Sequence, residues 1–145
     1  MASRILFVCL GNICRSPAAE GVFRSLAPMI ATDSAGTAGW HVGKPPYEPM
    51  QRAATARGYD LSDMRARQFV GADFDQFDLI IAMDDANIRD IEQLRPEGSA
   101  IPVRLFTDYA SETDMTHVPD PYYTRDFDGA LDLIEVAAKG LVATL

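Results

Sequence analysis

Apolar residues in this chain gather in short unbroken runs rather than alternating strictly with polar ones. Ile5-Leu6-Phe7-Val8-Cys9 and Leu79-Ile80-Ile81-Ala82-Met83 are the clearest, and such runs fit strands buried on both faces. A second strand is expected over residues 29–33, and a weaker fourth over Val103-Arg104-Leu105-Phe106. Between the strands the pattern turns helical. Ser16-Pro17 reads as the N-cap and first position of a helix that runs to Leu26 and stops near Pro28, because Ser caps well and Pro suits the first turn. Further helices are expected over residues 46–57, ended by Gly58, over 85–94, and over 127–145 as an amphipathic closing helix. The Gly- and Pro-rich residues 36–46 read as a loop.

Alternating strands and helices, with apolar strands, predict an α/β fold. The expectation is a single domain over residues 1–145, a doubly wound four-stranded parallel sheet with helices on both faces. No repeat, low-complexity tract or linker interrupts it. In such sheets ligands bind at the carboxyl ends of the strands, where loops enter helices. The segment from Cys9 to Ser16 is a loop of that kind.

A length of 145 residues and 15.9 kDa suits one core, since domains commonly run to ~100–150 residues. The longest apolar runs fall far short of the ~20 residues a membrane span needs. Met1-Ala2-Ser3-Arg4 leads straight into the first strand, with no secretory signal in view. A formal net charge of −8 argues against a general nucleic-acid or anionic-membrane binder. That charge is uneven: residues 1–58 carry six cations against three anions, so the acidic excess lies entirely in the remainder. Two cysteines are too few for a disulfide scaffold. They favour a cytoplasmic setting with a working thiol.

Cys9-Leu10-Gly11-Asn12-Ile13-Cys14-Arg15-Ser16 sets a thiol at a strand end and an arginine six residues on, at a helix start. A loop folded between the two turns successive N–H groups inward and makes an anion-binding nest. Gly11 and Asn12 tolerate the positive φ that a nest requires. The helix adds its positive dipole end, and Arg15 offers a planar fork to phosphate oxygens. A sulfur at the centre of that field is stabilised as thiolate. The same field stabilises a phosphoryl group in transfer.

Each residue alone has a plainer reading, Cys9 and Cys14 as core thiols and Arg15 as a surface cation. Their coincidence in one short segment favours the phosphate site. Rival motifs fit poorly. The nucleotide-binding P-loop needs a lysine that is absent here. His41 and His117 lie too far apart for the paired spacing of a zinc site. A redox Cys-x-x-Cys is missing, and Gly36-Thr37-Ala38-Gly39 is an improbable RNA clamp in so acidic a chain. Asp120 stands in the chain's one Asp-Pro pair, and Pro121 biases it toward extended backbone. Tyr122 and Tyr123 follow as a possible aromatic wall. Asp-Pro turns with tyrosine core packing are also common, so the residues alone leave both readings open.

Val8-Cys9-Leu10-Gly11-Asn12-Ile13-Cys14-Arg15-Ser16-Pro17 resembles the signature of the low-molecular-weight protein tyrosine phosphatases. The resemblance continues in Asp33-Ser34-Ala35-Gly36-Thr37, Ala66-Arg67-Gln68, Ala82-Met83-Asp84 with Asn87, and Asp120-Pro121-Tyr122-Tyr123. It implies hydrolysis of phosphotyrosine and aryl phosphates through a cysteinyl-phosphate intermediate. Cys9 would be the nucleophile, Arg15 the clamp and Asp120 the general acid. Residues 10–16 would bind phosphate, Ser16 would hydrogen-bond the sulfur, and Ser34 would support Asn12. Trp40 and His41 would face Tyr122 and Tyr123 across the cleft, and Cys14 would trap oxidised Cys9 as a reversible disulfide. A tyrosine-phosphorylated protein as substrate, inorganic phosphate as product, a monomeric enzyme and no cofactor or metal complete the implication. Met64 departs from the family, which usually has a histidine there supporting the asparagine. A thioether cannot donate that bond, so an Asn12 held differently or more loosely is expected.

Sibling activities are arsenate reduction, which in its thioredoxin-coupled form needs further cysteines downstream, and arginine-phosphate hydrolysis, which Ile13 disfavours. A non-catalytic phosphate-binding or redox-sensing module is the alternative of another class.

Overall fold

The computed structural model describes residues 3–145; the Met1-Ala2 start lies outside them. Four strands, β1 (Arg4–Cys9), β2 (Ala31–Gly36), β3 (Leu79–Ala82) and β4 (Val103–Leu105), form one sheet in the order β2-β1-β3-β4. Every neighbouring pair is parallel. Six helices accompany them: α1 (Arg15–Leu26), α2 (Glu48–Thr55), α3 (Asp73–Gln76), α4 (Asp85–Glu92), α5 (Pro121–Thr124) and α6 (Phe127–Val142). A 3₁₀ turn follows β4 over Phe106–Tyr109.

The unbroken apolar runs are explained by burial on two sides. Ile5, Phe7 and Cys9 of β1, with Leu79 and Ile81 of β3, face a core shared with α1, α2 and α6. Leu6, Val8, Ile80 and Ala82 face the opposite core, with Phe69, Phe74 and Ile91. Phe7 packs against Phe23 of α1 at 5.6 Å and Phe106 at 5.4 Å between ring centroids. In α6 the residues Ala130, Leu131, Ile134, Ala137, Ala138 and Leu141 are buried at the spacing of one helical face. Gly140 lets the α6 backbone lie directly on the Tyr109 carbonyl, where a Cβ has no room.

Several boundaries move from those expected. The second strand lies over Ala31–Gly36 rather than residues 29–33, because pairing with β1 sets its register from Arg4↔Ala31 to Cys9↔Gly36. Met29, an apolar residue that drew the strand too early, is 95% exposed. Helix α1 begins at Arg15 with Cys14 at the N-cap, so Ser16 is not the cap and Pro17 is the third helical residue. Proline is tolerated there because first-turn N–H groups have no intrahelical partner. Phe106 leaves the sheet for the 3₁₀ turn, α2 is shorter than residues 46–57, and α6 ends before the C-terminus. The short helices α3 and α5 carry too few residues to show a period.

β1 has β2 on one side and β3 on the other, so chain progression reverses direction beside its carboxyl end. That places the loop after Cys9 at the switch point of the sheet, where a crevice forms. Gly140→Ala tests the closest helix packing: we expect it to lower unfolding stability by about 1–3 kcal/mol, read as a lower urea midpoint at unchanged m.

Candidate active site

The Cys9-to-Arg15 loop wraps around the Cys9 sulfur. The Asn12 N–H donates to Cys9 Sγ at 3.3 Å, and the Ser16 hydroxyl lies 3.0 Å from it. Asn12 sits at φ 56°, in the left-handed region, which Asn enters more readily than most side chains. Gly11, also expected to use positive φ, does not. Its small size matters instead, since a Cβ there would come within 3.1 Å of the His41 ring.

Asn12 is held through both ends of its side-chain amide. Its Oδ1 accepts from the Arg67 N–H at 3.0 Å. Its Nδ2 donates to Ser16 Oγ at 2.8 Å and Ser34 Oγ at 3.0 Å. Of the two outcomes expected from Met64, the different hold is found and the looser one is not: Ser34 donates its own hydrogen bond to Glu20 Oε1 at 2.9 Å, and no imidazole takes part. On the other side of the loop, Thr37 and Ala38 donate to the carbonyls of Cys9 and Leu10, both at 2.9 Å. Gly36 makes this approach possible. A Cβ there would stand 2.8 Å from the Leu10 carbonyl oxygen and 3.0 Å from the Asn12 nitrogen.

Arg15 is 2% exposed, yet its guanidinium is paired. Nη1 donates to Asp84 Oδ2 at 2.8 Å and to the Val118 carbonyl at 3.0 Å, and Nη2 reaches Asp120 Oδ2 at 3.5 Å. Burial works against the charge, but Cys9, Asp84 and Asp120 outweigh it and hold the Arg15 pKa above its ordinary value. For Asp84, burial pushes upward; the Arg15 and Asn87 hydrogen bonds and the nearby positive charges win, so its carboxyl lies below the usual range. Asp84 also caps α4, accepting from the Asn87 N–H at 2.8 Å. Its clamp-holding position went unassigned from sequence, although an Asp directly after β3 is at the same sheet end as Cys9.

Asp120 has the extended backbone expected of a residue before proline, at φ −83° and ψ 107°. It caps α5 through a 3.1 Å bond from the Tyr122 N–H to Oδ1. Both tyrosines belong to the cleft. Together with Cys9, Leu10, Gly11, Ile13, Cys14, Arg15, Trp40, His41 and Asp120 they line one cavity. Trp40 and Tyr123 are each 68% exposed at its rim. Tyr122 is held from behind by Tyr47 at 5.1 Å. Arg125, which the sequence did not single out, stacks on Tyr47 and donates to its hydroxyl and to the Tyr122 carbonyl. Ser16, Asn12 and Ser34 lie beneath this cavity, in the network around the sulfur.

Both cysteines are free thiols and buried. Burial, followed by the charges of Cys9 and Asp120, pushes the Cys14 thiol far up. It is thus a neutral neighbour to Cys9.

The arrangement can bind a tetrahedral dianion over the Cys9 sulfur, with loop amides, the α1 N-terminus and the free edge of Arg15 around it. An acid stands at the mouth and aromatic rings flank a flat group. The Arg15–Asp84 pair gives a pH-resolved test. Because the folded Asp84 carboxyl lies below its unfolded value, its contribution is full above the unfolded value of ~3.9 and is lost as pH falls through the folded one. Asp84→Asn should cost about 2 kcal/mol at pH 7, by leaving Arg15 underpaired. In urea unfolding, the gap to the wild type should narrow below pH 4.

Comparison with known proteins agrees with this geometry. The sequence pattern of the family described as low molecular weight phosphotyrosine protein phosphatase matches residues 4–145. The chain is 42% identical to the low molecular weight protein-tyrosine-phosphatase YfkJ of Bacillus subtilis, over 97% of this chain and 94% of that protein. The crystal structure of YfkJ superposes with a TM-score of 0.91, covering 97% of this chain and 92% of that one. Vibrio vulnificus Wzb, solved in complex with benzylphosphonate, superposes at 0.88 with 32% identity, over 98% of each chain. The family match over residues 4–145 and the 42% identity to the Bacillus subtilis phosphatase show that this chain belongs to the low molecular weight phosphotyrosine protein phosphatase family.

Proposed function

We propose that the protein hydrolyses phosphotyrosine in protein substrates, and aryl phosphates generally, with Cys9 as nucleophile. The observation that carries this is the Cys9 sulfur itself. It receives an amide N–H and a hydroxyl from its own loop, at the floor of a cleft that also holds Arg15 and Asp120.

The phosphoryl group sits in the loop, with its oxygens toward the backbone N–H groups and Arg15. The thiolate attacks phosphorus opposite the ester oxygen, forming the S–P bond as the P–O bond breaks. Asp120 gives its proton to the departing phenolate. It then takes a proton from water, which attacks phosphorus, breaks the S–P bond and releases inorganic phosphate with the thiolate restored. Asp84 and the Val118 carbonyl keep Arg15 turned toward the loop. We assign the phenyl ring of the substrate to the aromatic lining of the cleft, Trp40, His41, Tyr122 and Tyr123. Phosphoserine is too short to use those walls. The benzylphosphonate bound by the Vibrio vulnificus relative has this aryl-plus-phosphorus shape. A cytoplasmic monomer is the setting we assign to this activity. Among the described residues no helix is long and apolar enough to cross a membrane.

The direct test is p-nitrophenyl phosphate hydrolysis in EDTA. Cys9→Ser should be inactive, and Asp120→Asn slowed by ~10²–10⁴ at similar KM. Full activity in Cys9→Ser would exclude the covalent route, and recovery of intact phosphopeptide from wild type would favour a binding module. A second test concerns Cys14. Peroxide converts thiolate Cys9 to sulfenic acid, and attack by Cys14 then gives a disulfide and water. Loss of the Cys9 charge removes one of the influences holding Cys14 neutral. Dithiothreitol should therefore restore peroxide-treated wild type but not Cys14→Ser. Equal, irreversible loss in both would refute the trap.

A further inference from the structure

Outside the cleft lies a buried carboxyl that the proposed reaction does not use. Glu20, on the second turn of α1, is 6% exposed. Its Oε1 accepts from Ser34 Oγ at 2.9 Å, and Oε2 lies 3.6 Å from Arg24 Nη1. From there an unbroken chain of hydrogen bonds runs through Ser34, Asn12 and Ser16 to the Cys9 sulfur.

The direction of each bond in that chain follows from the kind of group at its end. An ionised carboxylate only accepts, so the Ser34 proton points at Glu20 and the Ser34 lone pairs are left for Asn12. The Arg67 N–H occupies Asn12 Oδ1, so Nδ2 faces both serines. Ser16 then accepts from Asn12, and its own proton is free for Cys9 Sγ at 3.0 Å, with the Ala35 carbonyl a poorer partner at 3.4 Å. We propose that Glu20 is a positioning residue for the phosphate-binding loop: its carboxylate orients the Ser34 hydroxyl and, through Asn12 and Ser16, the hydrogen bond presented to the Cys9 sulfur. The proposal deepens the catalytic reading of Cys9 and rests on it.

Burial sets a cost on this arrangement. Burial pushes the Glu20 carboxyl above its ordinary value, the Ser34 bond pulls it back, Asp33 raises it, and Arg24 and Arg67 lower it. Asp63, Met64 and Arg65 border the open depression beside it. With the folded value raised, Glu20 favours the folded state most below the unfolded value, and that contribution is lost as pH rises through the folded one. Ionisation of Glu20 therefore weakens the fold while ordering the loop.

Activity and stability should consequently part company. The experiment measures kcat/KM on p-nitrophenyl phosphate, orthophosphate affinity by calorimetry, and Tm for Glu20→Gln, Glu20→Ala, Ser34→Ala and both double variants. Glu20→Gln, a neutral acceptor that can turn either end to Ser34, should lose about threefold in kcat/KM with a Tm at pH 7 no lower than wild type. Glu20→Ala and Ser34→Ala should each lose roughly tenfold, and each double variant should fall no further than its worse parent. If Glu20→Ala fails to fold, the Glu20→Gln cycle decides. Losses that multiply, or that track Tm across the series, would overturn the proposal. Should wild type not hydrolyse aryl phosphates, the proposed function fails; the same cycle on orthophosphate affinity still decides Glu20, coupling supporting its role and independence refuting it.

Discussion

The loop around Cys9 depends on one constraint, the fixing of Asn12 in a left-handed conformation. An L-residue there costs of order 1 kcal/mol relative to ordinary backbone. Here that cost is offset by three hydrogen bonds of its side-chain amide, to β2, α1 and the backbone of Arg67. The Asn12 N–H is thereby aimed at the Cys9 sulfur. The bare Cα of Gly36 allows the loop to lie on the end of β2. Loop shape, and with it any phosphate site, is thus a property of three segments distant in sequence.

The charge of the molecule and the charge of the site obey different rules. A net −8 spread over the chain is largely screened at distances beyond ~10 Å. In the cleft a buried guanidinium, a helix N-terminus and converging amides act at contact distance. The acidic portion of the chain supplies partners for that cation rather than opposing the site. Asp84 and Asp120 both bear on Arg15, and each also caps a helix. One carboxylate oxygen of each is therefore anchored to backbone and the other is turned to the arginine. That double use explains why short helices follow both residues.

Much of this was legible in the order of residues. The two runs buried on both faces, the thiol-to-arginine spacing and the Asp-Pro pair are local patterns whose physics does not depend on distant contacts. They led to a parallel sheet and a loop at its carboxyl end, whereas Trp40 and His41 as cleft residues came from the family resemblance. The boundaries of β2 were misjudged because Ala, Asp, Ser and Gly have little strand preference of their own. Pairing with β1 made them a strand. Arg125 gave no signal because its task, bracing Tyr47 and Tyr122, exists only once α5 has folded beside α2.

Met64 and Glu20 mark the boundary between the two kinds of information. A motif read residue by residue registers a missing histidine and implies a different or weaker support for Asn12. In the folded chain that support comes from a backbone N–H, two hydroxyls and a buried carboxyl. The sequence by itself determined the strand core, the reactive loop and the residue types of the cleft, because periodicity and short-range spacing are carried along the chain. Only the tertiary structure decided which groups satisfy Asn12, what holds Arg15 and where Glu20 stands. Apart from the Asn12–Ser16 bond, which spans four residues, those bonds close across 14 to 105 residues of chain, and their geometry follows from packing rather than from any local pattern.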